Sequence, residues 1–402
     1  MQADLRRAFN AAFTDDTYPS FVRAMETRLG CPFGFRVAET PAFIPADLRA
    51  KLERAANEIV VQLCDSKRLA AMERDVPARY ATPGRGSMSG VAIVDFAITR
   101  NERGELEPKL VELQGFPSLF ALTCVQLHEW GKVCSRMPGM PAKWSGYFSG
   151  LTEESFIALF RRSVVGKHEP EDVILLDLHP EKQKTNPDFF ATHQIAGVES
   201  VCPTTLVRDG RRLLRRRSGK LVEVKRVYHR LVFDELEKSG AKLPYDYRDE
   251  LEVEWFPHPQ WYFVWSKSSL PHLDHPAVPK TLRLSELGSI PKDLSRYVLK
   301  PFYSFAGGGV NVDPTEGDVA AVPADQREHW CLQEKVDYAP VIQAVDGGGV
   351  KIEVRMMFLR PDEDSKLTLA TNLVRLSRGK MLGVDFNKNF TWVGGSVGMW
   401  PA

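Results

Sequence analysis

No run of about 18 or more apolar residues occurs in the chain, which argues against a membrane-spanning helix. The first residues, through Arg6 and Arg7, lack the long apolar stretch of a secretory signal. An excess of one charge is also missing: 53 Lys and Arg stand against 52 Asp and Glu, a formal net charge of +1. That balance gives no basis for nucleic acid or an anionic membrane as the main partner. Cysteine is sparse. Cys31, Cys64, Cys124, Cys134, Cys202 and Cys331 form no C-x-x-C pair. Neither a zinc site nor a disulfide framework is expected, and reduced thiols in a cytoplasm are. The histidines show no H-E-x-x-H spacing, and His258, His272 and His275 fall near prolines, as loop residues do. No Gly-Lys-Ser/Thr motif opens a helix, which excludes a Walker A loop, and no internal repeat is visible.

The composition that remains, 43% hydrophobic and 26% charged, is that of an ordinary globular protein, and 402 residues suffice for two or three lobes. Residues 1 to about 80 read as helical; from Ala46 to Leu63 apolar residues recur at three- and four-residue steps. A Pro/Gly-rich connector spans 81–90. Residues 91–98 and 108–114 then read as two strands joined by a turn at Asn101–Gly104. The order strand (173–178), helix (188–195), strand (198–201) is the grammar of an α/β unit with a parallel sheet, continued by 222–231. From Tyr297 onward the chain is strand-rich and punctuated by glycine. The one basic stretch, with Arg211, Arg212, Arg215, Arg216 and Arg217, lies between the turn signals Asp209-Gly210 and Ser218-Gly219. It reads as a solvated hairpin rather than a nucleic-acid patch. The division expected is a helical region at 1–90, strands and helices at 91–170, an α/β unit at 171–240 and a further pair of lobes at 241–402.

The strongest local signal runs from Tyr297 to Val312. An apolar strand delivers Lys300 and breaks at Pro301, and a flexible stretch from Ser304 through Gly307, Gly308 and Gly309 precedes a second strand at Val310. Consecutive glycines let backbone N–H groups approach phosphate oxygens, and Lys300 supplies a point charge for the same phosphates. A plain hairpin with a glycine turn is the bland alternative. About twenty residues on, a strand at 330–336 ends in Gln333 and Glu334, groups suited to an adenine amino group and ribose hydroxyls. Glu353 and Arg355 then share a face of a strand at 351–359, and Arg375 lies on another at 371–377. Arg355 and Arg375 are candidates for binding a transferring phosphoryl group, or else cross-strand partners of Glu353.

Upstream, Asp95 lies on one strand, with Glu112 and Gln114 two residues apart on the next. Hard oxygen ligands of this kind suit Mg²⁺ bridging phosphates. Asp385 and Asn387, also two apart, form a competing pair.

Lysine strand, glycine loop, Gln-Glu hinge and arginine strands in this order resemble the ATP-grasp superfamily. With the carboxylates placed early, the chain is similar to its circularly permuted branch, typified by the synthetase domain of glutathionylspermidine synthase. Tyr228 and Arg230 resemble that family's Tyr-x-Arg segment, and 265–273 its second nucleotide-binding lysine motif, with Lys267 in that role. The resemblance runs from about residue 90 to the end. It implies an α+β ATP-grasp fold, two lobes clamping ATP, with an associated α/β pre-ATP-grasp-like unit. It further implies ATP and Mg²⁺ as cofactors, and small-molecule carboxylate and amine substrates, peptide-like or polyamine-like, joined through an acyl phosphate. Two positions depart from the family: Gln114 replaces an asparagine, and Ile93 replaces an arginine whose place Arg85 or Arg355 would have to fill. Those departures leave open a nucleotide-binding protein without ligase activity, and a kinase on the same scaffold stays open beside it.

Overall fold

The computed structural model describes residues 1–303, 309–379, 387 and 389–402. The amino-terminal region forms four helices, Ala3–Ala12, Thr17–Leu29, Ala46–Leu63 and Ser66–Arg74. The stripe expected in Ala46–Leu63 is the buried face: Leu48, Leu52, Ala55, Ala56, Ile59, Val60 and Leu63 all turn inward. Asp65 starts the next helix by accepting the Arg68 backbone N–H at 3.0 Å. Among the described residues, no helix is long and apolar enough to cross a membrane. All six cysteines are free.

Of these helices, Ala46–Leu63 packs against a six-stranded sheet. Its path runs Gly394–Ser396, Thr368–Ser377, Gly349–Leu359, Val91–Arg100, Leu106–Gln114, with Pro340–Gln343 added beside Gly349–Leu359. Every pairing in it is antiparallel. Strands from the early 91–170 stretch and from the last third therefore share one sheet. The first hairpin turns where expected, Asn101 Oδ1 accepting the N–H groups of Arg103 at 3.0 Å and Glu105 at 2.9 Å. Because side chains alternate, Val94, Phe96, Val354, Met356 and Val374 enter the core on one face. The register places Asp95 beside both Glu112 and Arg355, Ile93 beside Gln114, and Glu353 beside Arg375, so the candidate polar residues share the other face.

Among the described residues four smaller sheets accompany this one. Glu254–Phe256, Arg226–His229, Val173–Leu176 and Glu199–Val201 form a wholly parallel sheet in that order, with Asn186–Ala196 as a crossover helix. The strand expected over 222–231 is two strands in different sheets, Lys220–Val224 and Arg226–His229. The chain leaves one ladder at Lys225, whose N–H donates to Asp172 O at 2.9 Å. Val207–Asp209, Arg212–Arg217 and Lys220–Val224 make a meander. Its arginines meet acids: Arg208 with Asp249 at 2.7 Å and the buried Arg215 with Glu199 at 2.6 Å. The third sheet, antiparallel, runs Thr281–Arg283, Trp330–Glu334, Tyr297–Pro301, around its own core of Leu284, Leu294, Leu299, Val319, Val322 and Leu332. The strand expected from Val310 reduces to a single bridge between Leu299 and Asn311.

Candidate functional site

Lys300 sits on Tyr297–Pro301 opposite Cys331, buried, with its side chain reaching back toward the six-stranded sheet. Its ammonium donates to Gln333 Oε1 and, at 3.4 Å, to the carbonyl of Val111. Val111 is the extra residue of a β-bulge: Asp95 pairs with Glu112 while the next residue, Phe96, pairs with Leu110. A bulged residue is left out of the ladder, which frees its carbonyl for the lysine. Burial pushes the Lys300 pKa down to about 8; the nearby Cys331, Glu112 and Glu353 oppose that push and Lys267 adds to it. Lys267, also buried, opens the short helical segment Lys267–His272.

The two walls meet at a small cavity of about 30 Å³, where Glu112, Gln114 and Lys267 face Trp265, Tyr262 and Tyr303. At roughly 10–15 Å³ per water it has room for about two waters. Gln114 is buried, and its Oε1 has no hydrogen-bond partner. A buried oxygen in that state is under-satisfied unless a cation or water completes it.

Beside the cavity lies a cluster of three carboxylates and two guanidiniums, one net negative charge. Arg355 holds the fully buried Asp95 in a fork, Nε to Oδ1 at 2.8 Å and Nη2 to Oδ2 at 2.6 Å. Arg375 Nη2 adds a bond to Asp95 Oδ2 at 3.1 Å, a bond to Glu353, and a contact of 3.8 Å with Glu112 Oε2. Burial raises the Glu353 carboxyl and Arg375 counters it, with Asp95 and Glu112 adding to the rise. Burial likewise opposes the charge on Arg375, but Glu353, Asp95 and Glu112 outweigh it and hold its pKa above the ordinary value. Tyr338 completes the cluster, donating to Glu353 Oε2 at 2.9 Å.

These contacts bear on each expected residue. Arg375 meets Glu353 across the ladder, and Arg355 turns to Asp95 instead. Among the described residues, Glu112 and Gln114 suit a hard divalent cation: a carboxylate whose ion-pair partner Arg375 stays 3.8 Å away, and a neutral oxygen without a hydrogen bond. Asp95 does not suit one in this arrangement, because both its oxygens are taken. Among the described residues no group of three His, Cys, Asp or Glu side chains is arranged to hold a metal ion. Asn387 Oδ1 accepts from Ser377 Oγ and from the N–H groups of Arg378 and Gly379, each at 3.0 Å. Asp385, Ser304, Gly307 and Gly308 lie outside the described residues. Gly309 has φ +72°, a left-handed conformation that favours glycine, and a Cβ there would lie 3.1 Å from Pro301 Cγ.

Gln333 does not present a free amide: Oε1 takes the Lys300 ammonium and Nε2 donates to Thr281 Oγ1 at 3.1 Å. Glu334 is half-buried, 3.9 Å from Arg296. Arg85 pairs with Glu73 and lies over the Trp261 ring at 4.7 Å. Tyr338 and the aromatic wall of Tyr262 and Trp265 were not singled out from sequence. Tyr338 carries no periodic signal, whereas Trp265 lies two residues before Lys267 and could have been found with it.

No family model and no curated protein matches this sequence. Among solved structures, the chain is similar to a glutathione synthetase-like effector from Globodera pallida in its apo form. The TM-score is 0.57 at 14% identity, over 90% of this chain and 94% of that one. The likeness is one of fold: this is a mixed α+β chain that shares the fold of that glutathione synthetase-like protein.

Proposed function

We propose that the chain is an ATP- and Mg²⁺-dependent carboxylate–amine ligase, built as in the permuted ATP-grasp branch. The observation that carries this reading is the cavity at which the buried Lys267 meets Glu112 and Gln114, whose Oε1 has no partner among the described residues, with the buried Lys300 close to both Lys267 and Glu112. Positive charge for a polyphosphate and hard oxygens for its counter-cation are thus supplied from opposite walls. Lys267 and Lys300 bind the phosphates. Gln333 and Glu334 border the base and ribose. Arg375, with Arg355 behind it, steadies charge on the transferring phosphoryl group.

A substrate carboxylate oxygen attacks the γ-phosphorus, ADP leaves, and an acyl phosphate results. An amine then attacks the acyl carbon and phosphate departs with the C–O bond electrons, leaving an amide. Bound at Glu112 and Gln114, Mg²⁺ would neutralise phosphate charge. A cavity with room for about two waters admits a nucleotide only when the third sheet swings away from the central one. Peptide-like or polyamine-like substrates and a cytoplasmic site of action are part of the proposal.

A second reading, a nucleotide-binding protein without ligase activity, has one observation in its favour. Asp95 is saturated by Arg355 and Arg375 rather than left open for a cation. Incubation with ATP, Mg²⁺, a panel of carboxylic acids and hydroxylamine separates the two. A ligase forms ADP and a hydroxamate from the trapped acyl phosphate. Saturable ATP binding without either product across the panel supports the second reading, and absence of ATP binding removes both.

A further inference from the structure

The carboxyl end of the Ser66–Arg74 helix lies outside every motif singled out in the sequence, yet three parts of the nucleotide cleft are tied to it. Asp75, the residue that caps this helix, turns its side chain to two partners at once. Its Oδ2 meets Nε2 of His272 and Nη2 of Arg283. Its backbone carbonyl accepts the hydroxyl of Tyr303 at 2.9 Å. His272 is the last residue of the segment that begins with Lys267, Arg283 ends the strand Thr281–Arg283 of the third sheet, and Tyr303 lines the cavity.

Each of these ties is reinforced. Arg68, two turns earlier on the same helix, donates to the backbone carbonyl of His272. Arg283 is buried, lies over the Phe302 ring at 5.1 Å, and donates to Glu328 O at 3.0 Å. Its other carboxylate partner, Glu286 at 3.2 Å, has a side chain 70% exposed, so Asp75 is the less solvated countercharge. Burial would raise the Asp75 carboxyl, but His272 and Arg283 outweigh it and hold it below its ordinary range.

We propose that Asp75 is a positioning residue for nucleotide binding: it holds Lys267, the third sheet and Tyr303 in one register, so that the amino-terminal helical region sets the geometry of the phosphate site. Asp75 does not itself line the cavity; it holds Tyr303, which does, and reaches Lys267 through His272. This rests on the reading of the cleft as a nucleotide site. A charge held at the helix end fixes the far end of a six-residue segment, and a lysine at the near end then meets phosphate without a search among orientations.

The test is a double-mutant cycle on ATP affinity, measured by calorimetry on the full chain, with circular dichroism to establish folding. Asp75→Asn keeps the shape and removes the charge. It is expected to weaken ATP binding about fivefold or more in the wild-type background and less than about twofold in a Lys267→Met background, since groups acting through one another are not additive. His272→Gln breaks the same contact more mildly and covers the case in which Asp75→Asn does not fold; it is expected to show the same dependence on Lys267. Equal losses in both backgrounds, or affinity within about twofold of wild type for the folded variants, overturn the role of Asp75 and leave the nucleotide reading intact. Wild-type protein that binds no ATP overturns both.

Discussion

Asp95→Asn tests how the central cluster is built. The change keeps the side chain's shape and removes its charge at a fully buried position. Two bonds from Arg355, at 2.8 and 2.6 Å, lose a charged acceptor. Charge-assisted bonds contribute about 1.5–3 kcal/mol each. The third bond, from Arg375, is discounted, because that side chain is 37% exposed and keeps Glu353. Asparagine can still accept one bond, but its amide faces a donor on the other side. Arg355, itself buried, is left without a countercharge, a situation that costs about 3–5 kcal/mol. The expected loss of unfolding free energy in urea, without Mg²⁺, is therefore about 3–5 kcal/mol. The same titration repeated with Mg²⁺ separates a structural from a metal-binding aspartate. A ligand that binds only the folded state stabilises it. If Asp95 is chiefly a metal ligand, metal-free stability is unchanged and the variant loses a stabilisation by Mg²⁺ that the wild type has. A loss under about 1 kcal/mol in metal-free urea, with that Mg²⁺ effect abolished, would refute the reasoning from the Arg355 fork.

Gln114→Leu is expected to change metal-free stability by under about 1 kcal/mol, since no hydrogen bond to Oε1 is lost. It should raise the Mg²⁺ concentration needed for half-maximal ADP release; an unchanged requirement removes Gln114 from the metal site. Lys300→Met should weaken ATP binding by about 1.5–3 kcal/mol by calorimetry, and undiminished affinity would take Lys300 out of the cleft. The pH dependence follows from its depressed pKa. Between about 8 in the folded protein and about 10.4 in the unfolded chain, the unfolded state binds more protons, so this group makes stability rise with pH. In the folded protein its ammonium is lost around pH 8, so ATP affinity should fall up to about tenfold from pH 7 to 9. The Lys300→Met variant should lack that fall, and an equal decline in both proteins would assign it to another group.

Elements whose residues interact with near neighbours were legible in the sequence. The apolar stripe of Ala46–Leu63, the Asn101–Gly104 turn, the parallel unit around Val173–Leu176 and the strand ending at Lys300 all follow from local periodicity or turn chemistry. So did the polar candidates, because charged residues two apart on strands such as Glu353 and Arg355 stand out against an apolar background. What they do to one another was not legible. Arg355 turns to Asp95, 260 residues away in sequence, and Arg375 gathers three acids, because strand register between distant segments selects the partners. The bulge that frees Val111 for Lys300, the unpartnered oxygen of Gln114 and the reach of Asp75 into the cleft depend on the same packing. A side chain's type sets what it can bind, while its free valence depends on which neighbours folding has already brought to it, and only the tertiary structure decides that.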